Sequence, residues 1–207
     1  MRRALDVTVA FLAGVGLLPV ALVIAALVRW RLGPPVLFRQ RRTGRHGVEF
    51  DILKFRTMRP ERFPGEDDLA RITVLGKALR VASLDELPQL WNVFRGQMAL
   101  IGPRPTLPEQ VVHYSGHQRR RLEIRPGITG WAQVRGRNAI SWPERIELDI
   151  WYIDHRSWWL DLRIIGQTVV QLLRPRGVTG EGGVNQGFPV PSPADPEQAP
   201  TTPPGPP

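Results

Sequence analysis

The residues of this chain best suited to chemistry lie together at Ser83-Leu84-Asp85-Glu86. The Ser-x-x-Glu spacing fits a helix capping box, in which the serine side chain accepts an orphan amide and the glutamate reaches back to the cap. The same geometry places Asp85 in a first helical turn, where free amides and the dipole favour the ionised carboxylate and lower its pKa. An ionised aspartate on a rigid helix end is a competent nucleophile toward phosphorus. Two adjacent carboxylates also supply the hard oxygen ligands that Mg²⁺ prefers, and the ion would screen an anionic nucleophile from an anionic diphosphate. A plain structural cap and a catalytic pair both fit these four residues.

Basic side chains able to hold a diphosphate lie in several separate segments: Lys54 and Arg56, Arg80 five residues before Asp85, and Arg104 between Pro103 and Pro105. Taken singly, each also reads as a solvated surface charge. Arg104 stands out, because a loop stiffened by two prolines loses little entropy when its side chain binds. Other patterns are weaker. Gly76-Lys77 lacks the upstream glycine of a phosphate-binding loop, and Gly14-Val15-Gly16 lies inside an apolar run. His113 and His117 have metal-ligand spacing, but Gly116 intervenes and no acid accompanies them, which favours a structural or solvated role.

The elements that must position these groups are short. Val36 to Arg39 and Val48 to Phe55 read as a β-hairpin around Arg45, His46 and Gly47. A helix is expected from about Thr73 to Arg80, and a second from Ser83 to Phe94, stopped by Gly96. Pro103, Pro105 and Pro108 make a rigid loop. Short helices follow at 107–114 and 117–123, then a glycine-punctuated loop from Arg125 to Val134. Ser141 caps a helix over 142–154, and 160–173 forms another. Trp142, Trp151, Trp158 and Trp159 beside Arg145, Arg156 and Arg163 suit either a membrane headgroup layer or a packed core.

At the N-terminus, Val7 to Val28 is uncharged, and as a helix its 22 residues would span roughly 33 Å, enough for one membrane crossing. Arg2 and Arg3 precede it, and Arg29 and Arg31 follow it, so the positive-inside rule puts both ends on the cytoplasmic side. A segment entering and leaving by one face must turn near Gly14, Gly16 and Pro19, where proline removes an amide and disturbs the preceding turn. A re-entrant hairpin is therefore favoured over a straight crossing. A cleaved signal peptide fits worse, because the apolar run exceeds the usual 7 to 15 residues of a signal core.

The 207 residues suffice for one compact domain with appendages. Residues 1–32 read as the anchor, 33–176 as a catalytic domain, and the Pro/Gly-rich 177–207 as a disordered tail. The net charge of +9 is carried almost wholly by arginine, which implies anionic partners such as nucleic acid, anionic lipid or a pyrophosphate-bearing substrate. The chain has no cysteine, which excludes disulfides and thiolate chemistry.

In order and spacing, residues 2 to about 173 resemble the bacterial sugar transferases, monotopic phosphoglycosyl transferases acting on undecaprenyl phosphate. The matching blocks include Gly33 to Gln40, Lys54-Phe55-Arg56-Thr57-Met58, Ser83 to Asn92, Ile101-Gly102-Pro103-Arg104-Pro105, Arg125 to Val134, and the stretch from Leu148-Asp149 to Leu160-Asp161. The resemblance implies an α+β, mainly helical fold with a re-entrant membrane helix broken at Pro19, a small β-hairpin and amphipathic interfacial helices. It further implies an Asp85-Glu86 pair dependent on Mg²⁺, with a phosphosugar carried covalently on Asp85. The expected partners are a UDP-sugar, polyprenyl phosphate and membrane lipids, with downstream glycosyltransferases possible and no nucleic acid. The expected location is the cytoplasmic membrane, with the catalytic domain on its cytoplasmic face. Larger relatives carry further membrane helices and another domain upstream, so this chain reads as the minimal catalytic form. Leu18 departs from the serine often found before the breaking proline.

Overall fold

The structure, a computed structural model, describes residues 2–136 and 140–173, and the segment 177–207 expected as a tail lies outside them. The chain is mainly helical. Two helices, α1 (Arg2–Gly16) and α2 (Leu18–Leu32), precede an antiparallel hairpin of β1 (Leu37–Thr43) and β2 (Glu49–Phe55). Then come α3 (Asp68–Arg71), α4 (Val74–Val81), α5 (Gln89–Phe94), β3 (Ala99–Ile101), α6 (Pro108–Val111) and α7 (Gly116–Arg119). The described chain closes with β4 (Gly127–Thr129), α8 (Trp131–Arg135), α9 (Trp142–Asp154) and α10 (Trp158–Leu173).

Among the described residues no single helix is long and apolar enough to cross a membrane; α1 and α2 taken together have the length and composition, and they are bent by 61° at the break between them. The break falls at Leu17, and Pro19 sits in the first turn of α2, where a missing amide costs nothing. Both outer ends of the bent pair are fastened to the same body. Arg3 donates to the carbonyls of Val93 (2.7 Å) and Phe94 (3.0 Å), Asp6 accepts from the Leu100 amide, and Arg2 pairs with Asp161 at 3.4 Å. At the other end Arg56 donates to the carbonyls of Leu32, Gly33 and Pro34. Apolar packing repeats this attachment: Ala10 is buried with Phe50, Ile52, Val93 and Met98, and Ile24 and Val28 with Phe55 and Leu79. Between the fastened ends Leu12, Val15, Leu18, Leu22 and Val23 are exposed.

The hairpin pairs Leu37 with Phe55 and Thr43 with Glu49, making its first strand longer than the four residues expected. A second sheet, β3 parallel to β4, was not foreseen. Three-residue strands carry no readable periodicity, and the glycines that suggest a loop are there for close approach: a Cβ on Gly127 would lie 2.1 Å from the Gly102 amide nitrogen. Helix α9 matches its expected bounds, with the Ser141 hydroxyl accepting from the Glu144 amide. None of the four tryptophans weighed as core is buried: Trp142 is half-buried and Trp151 is exposed. Trp131, outside the four singled out, is buried with Tyr152, Leu160 and Ile164, whereas Trp158 and Trp159 on α10 are exposed beside Leu162, Val170 and Leu173.

Helix α4 approaches the end of the hairpin through Gly76, where a Cβ would stand 1.9 Å from the Thr57 carbonyl oxygen. Backbone cannot yield that far. Gly76→Ala should therefore lower the unfolding free energy by about 1–3 kcal/mol, measured by chemical denaturation in detergent; an unchanged midpoint would mean that α4 slides freely.

Candidate active site

The expected capping box does not form. Helix α4 ends at Val81, and Ser83 adopts the left-handed conformation (φ 55°), its amide donating to the Arg80 carbonyl at 3.1 Å. Ser83 thus closes the preceding helix instead of opening the next, a position usually given to glycine. Residues Leu84–Glu86 form one 3-10 turn, Pro88 follows, and α5 begins only at Gln89. Glu86 cannot reach back to the cap because two cations hold it elsewhere: Lys54 Nζ lies 2.6 Å, and an Arg104 guanidinium nitrogen 3.2 Å, from its Oε1.

This geometry reverses the expectation for Asp85. Only 7% of the residue is exposed, and among the described residues its carboxylate accepts no hydrogen bond. Burial raises its pKa. The charges of Lys54, Arg80 and Arg104 oppose that rise, and that of Glu86 adds to it. The single 3-10 turn provides no long helix whose dipole could reverse the balance. Glu86 goes the other way: burial favours its neutral form, but the charges and hydrogen bonds of Lys54 and Arg104 outweigh this and hold it at about 2.

Four chain segments meet here. Asn92 ties β2 to α5, its side chain accepting from the Leu53 amide and donating to the Asp51 carbonyl, so that Lys54 is set beside the 84–86 turn. Arg80 leaves the last turn of α4 and donates to the Thr57 hydroxyl at 2.9 Å. Arg104 enters from the loop after β3. Arg56 is differently engaged: its guanidinium serves the carbonyls at the end of α2. His117 is exposed and pairs with Glu147 at 3.0 Å, and no group of three or more metal-ligating side chains gathers among the described residues.

Two arginines that sequence reasoning passed over also reach the Arg104 loop. Arg42 on β1 donates to the Pro105 carbonyl, and burial and the nearby charge of Arg104 lower its pKa to about 10. Arg121, itself buried, donates to the Arg104 carbonyl. In so arginine-rich a chain nothing in their local sequence distinguishes them. The result is a buried carboxylate without a hydrogen-bond partner among the described residues, a second carboxylate held in an ion-pair triad, and an excess of cations around both.

The chain belongs to the bacterial sugar transferase family, whose profile matches residues 1–175. It is similar to EpsL, an uncharacterized sugar transferase of Bacillus subtilis, with 45% identity over 181 residues covering 86% of this chain and 90% of the relative. Similar too is the UDP-glucose:undecaprenyl-phosphate glucose-1-phosphate transferase of Xanthomonas campestris, 44% identical over 184 residues; the match takes in 81% of this chain but only 38% of that protein. A protein of the same description from Caulobacter vibrioides is 42% identical over 185 residues, 83% of this chain and 69% of the relative.

A buried carboxylate that accepts no hydrogen bond, as is true of Asp85 among the described residues, weakens the fold while it is ionised. Asp85→Asn should accordingly raise the melting temperature at neutral pH. The folded-state pKa of Asp85 lies above its unfolded value, so the wild type should recover this deficit as pH falls through that raised pKa. The gap between the two proteins should close on acidification, as followed by thermal denaturation across pH. A gap that widened would show that the Asp85 carboxylate is stabilised in the folded chain.

Proposed function

We propose that the chain is a phosphoglycosyl transferase: it moves a sugar 1-phosphate from a UDP-sugar to undecaprenyl phosphate or a related polyprenyl phosphate and releases UMP. This would be the priming step of exopolysaccharide, O-antigen or glycoconjugate synthesis. The observation that carries the reading is Asp85, a desolvated carboxylate without a hydrogen-bond partner among the described residues, acted on by the charges of Lys54, Arg80 and Arg104. The names of the Xanthomonas and Caulobacter relatives support the substrate classes.

In the first half-reaction an Asp85 oxygen attacks the phosphorus attached to the sugar. A phosphorus–oxygen bond forms to the aspartate, the bond to the UMP oxygen breaks, and UMP leaves with its electron pair. In the second, an oxygen of the lipid phosphate attacks the same phosphorus and displaces the carboxylate. Desolvation strips Asp85 of the water that would otherwise blunt it, and Arg80 and Arg104 offset the charge that accumulates on the phosphoryl oxygens. Lys54 neutralises Glu86 and so reduces repulsion of the incoming diphosphate. The unbonded oxygens of Asp85 and the second oxygen of Glu86 are donors of the hard kind suited to Mg²⁺. The ion, held by these two residues together with the diphosphate, would supply further charge neutralisation there.

The bent α1–α2 pair is read as a re-entrant anchor. Its two ends are fastened to one domain and its apolar apex is exposed, an arrangement that a straight crossing would pull apart. The exposed apolar face of α10 suits the headgroup boundary, and the domain would lie on the cytoplasmic side, where UDP-sugars are found and where the lipid phosphate can arrive with its tail in the bilayer.

Incubation with a UDP-sugar labelled in the sugar-linked phosphate, without lipid, should label the protein and release UMP in an amount no greater than the enzyme. Polyprenyl phosphate should then discharge the label, and Asp85→Asn should take up none. UMP release that begins only when acceptor is present would instead indicate direct attack by the lipid in a ternary complex. Topology has its own test, since the chain lacks cysteine. Ala4→Cys and Arg31→Cys should both resist a membrane-impermeant thiol reagent until the cytoplasmic side is opened, whereas labelling of residue 4 in intact spheroplasts would establish a straight crossing.

A further inference from the structure

The loop that carries Arg104 is tied down one carbonyl at a time. The Pro103 oxygen accepts from the Gly127 amide (2.9 Å), the Arg104 oxygen from Arg121 (3.3 Å), the Pro105 oxygen from Arg42 (3.3 Å) and the Thr106 oxygen from the Thr43 amide (2.9 Å). Two of the four residues are prolines without an amide, so the loop cannot build a regular hydrogen-bonded turn of its own. Its shape is imposed from outside.

Arg121 is the most completely held of these donors. It is 3% exposed, contacts Asp149 Oδ2 through two nitrogens at 2.9 and 2.6 Å, and donates to the Tyr114 hydroxyl at 2.7 Å. Asp149 comes from α9, and Tyr114 from the link between α6 and α7. A fully buried ion pair is a poor device for stability, because desolvation offsets most of its attraction. It does fix a planar guanidinium in one orientation, in which the outer nitrogen 2.6 Å from Asp149 Oδ2 also donates to the backbone carbonyl of the residue whose side chain reaches Glu86.

We propose that Arg121, oriented by Asp149 and Tyr114, is a positioning residue that sets Arg104 on Glu86 by holding the Arg104 carbonyl. It touches neither reacting atom. Its contribution to turnover, which rests on the transferase reading above, passes through Arg104.

The test is a double-mutant cycle on UMP release. Arg121→Lys, which cannot serve three acceptors in a plane, should lower kcat/KM by roughly 10- to 100-fold in the otherwise wild-type chain. In an Arg104→Ala background the same change should cost less than about twofold, because the group it positions is gone. Losses that multiply in both backgrounds would overturn the proposal and mark Arg121 as merely structural. Should Arg121→Lys not fold, Tyr114→Phe takes its place in the cycle, with an expected loss of roughly two- to tenfold that again vanishes without Arg104. A crystal structure of the folded variant gives a reading independent of turnover. Arg104 should be withdrawn from Glu86; if it still lies within hydrogen-bond distance, the proposal fails whatever the activity of the wild type. Absence of UMP release from the wild type counts against the transferase reading alone.

Discussion

Glu86 is the point at which the separate parts of this fold are tied together by charge. One of its oxygens accepts from Lys54 at the end of the hairpin and from Arg104 on the loop after β3, so a displacement of any of these segments breaks a contact in a partly buried site. Leaving a half-buried charge unpaired costs more than leaving an exposed one, and the three groups therefore constrain one another. Asp85, the adjacent residue, benefits without taking part. Among the described residues nothing bonds to it while Lys54 and Arg104 turn to Glu86, and a carboxylate left this way is poorly stabilised in its ground state and well supplied with positive charge for what approaches it. Adjacent acids on one turn are thus driven apart in character by their neighbours alone.

What the sequence made legible follows from the range of the forces involved. Helix α9, with its Ser141 cap, and the hairpin ladder are local patterns and emerged nearly as read. The break near Pro19 was legible for the same reason, since a missing amide acts within one turn. Lys54, Arg80 and Arg104 were picked out by residue type and by proline stiffening, and the structure brings all three charges to bear on Asp85. The failures concern interactions between distant segments. Ser83-x-x-Glu86 satisfies a local capping rule, yet Lys54, 32 residues away from Glu86, takes the glutamate out of it. The dipole argument for a low Asp85 pKa considered only the turn, whereas the burial that decides its direction comes from elements packed around it. Arg42, Arg121 and the β3–β4 pair were invisible because nothing in their neighbourhoods announces a partner tens of residues away.

The bent pair at the N-terminus is as much a part of the catalytic body as an appendage to it. Ala10 fills the same core as Phe50 and Met98, Arg3 satisfies the terminal carbonyls of α5, and Arg56 does so for the residues that end α2. Helix α5 also carries Asn92, which sets Lys54. The bent pair and the site accordingly share structural elements on both sides of residue 32.

Asn92 has a consequence beyond alignment. A two-stranded ribbon leaves both of its outer edges with unpaired amides and carbonyls, an open template for another chain. Along residues 51–53 the Asn92 side-chain amide occupies that template, giving and taking one hydrogen bond each in the manner of a neighbouring peptide group. With 1% of the residue exposed, the imitation is sealed from water and from competitors. A single side chain therefore closes this stretch of the β2 edge and protects it from edge-to-edge association with another strand.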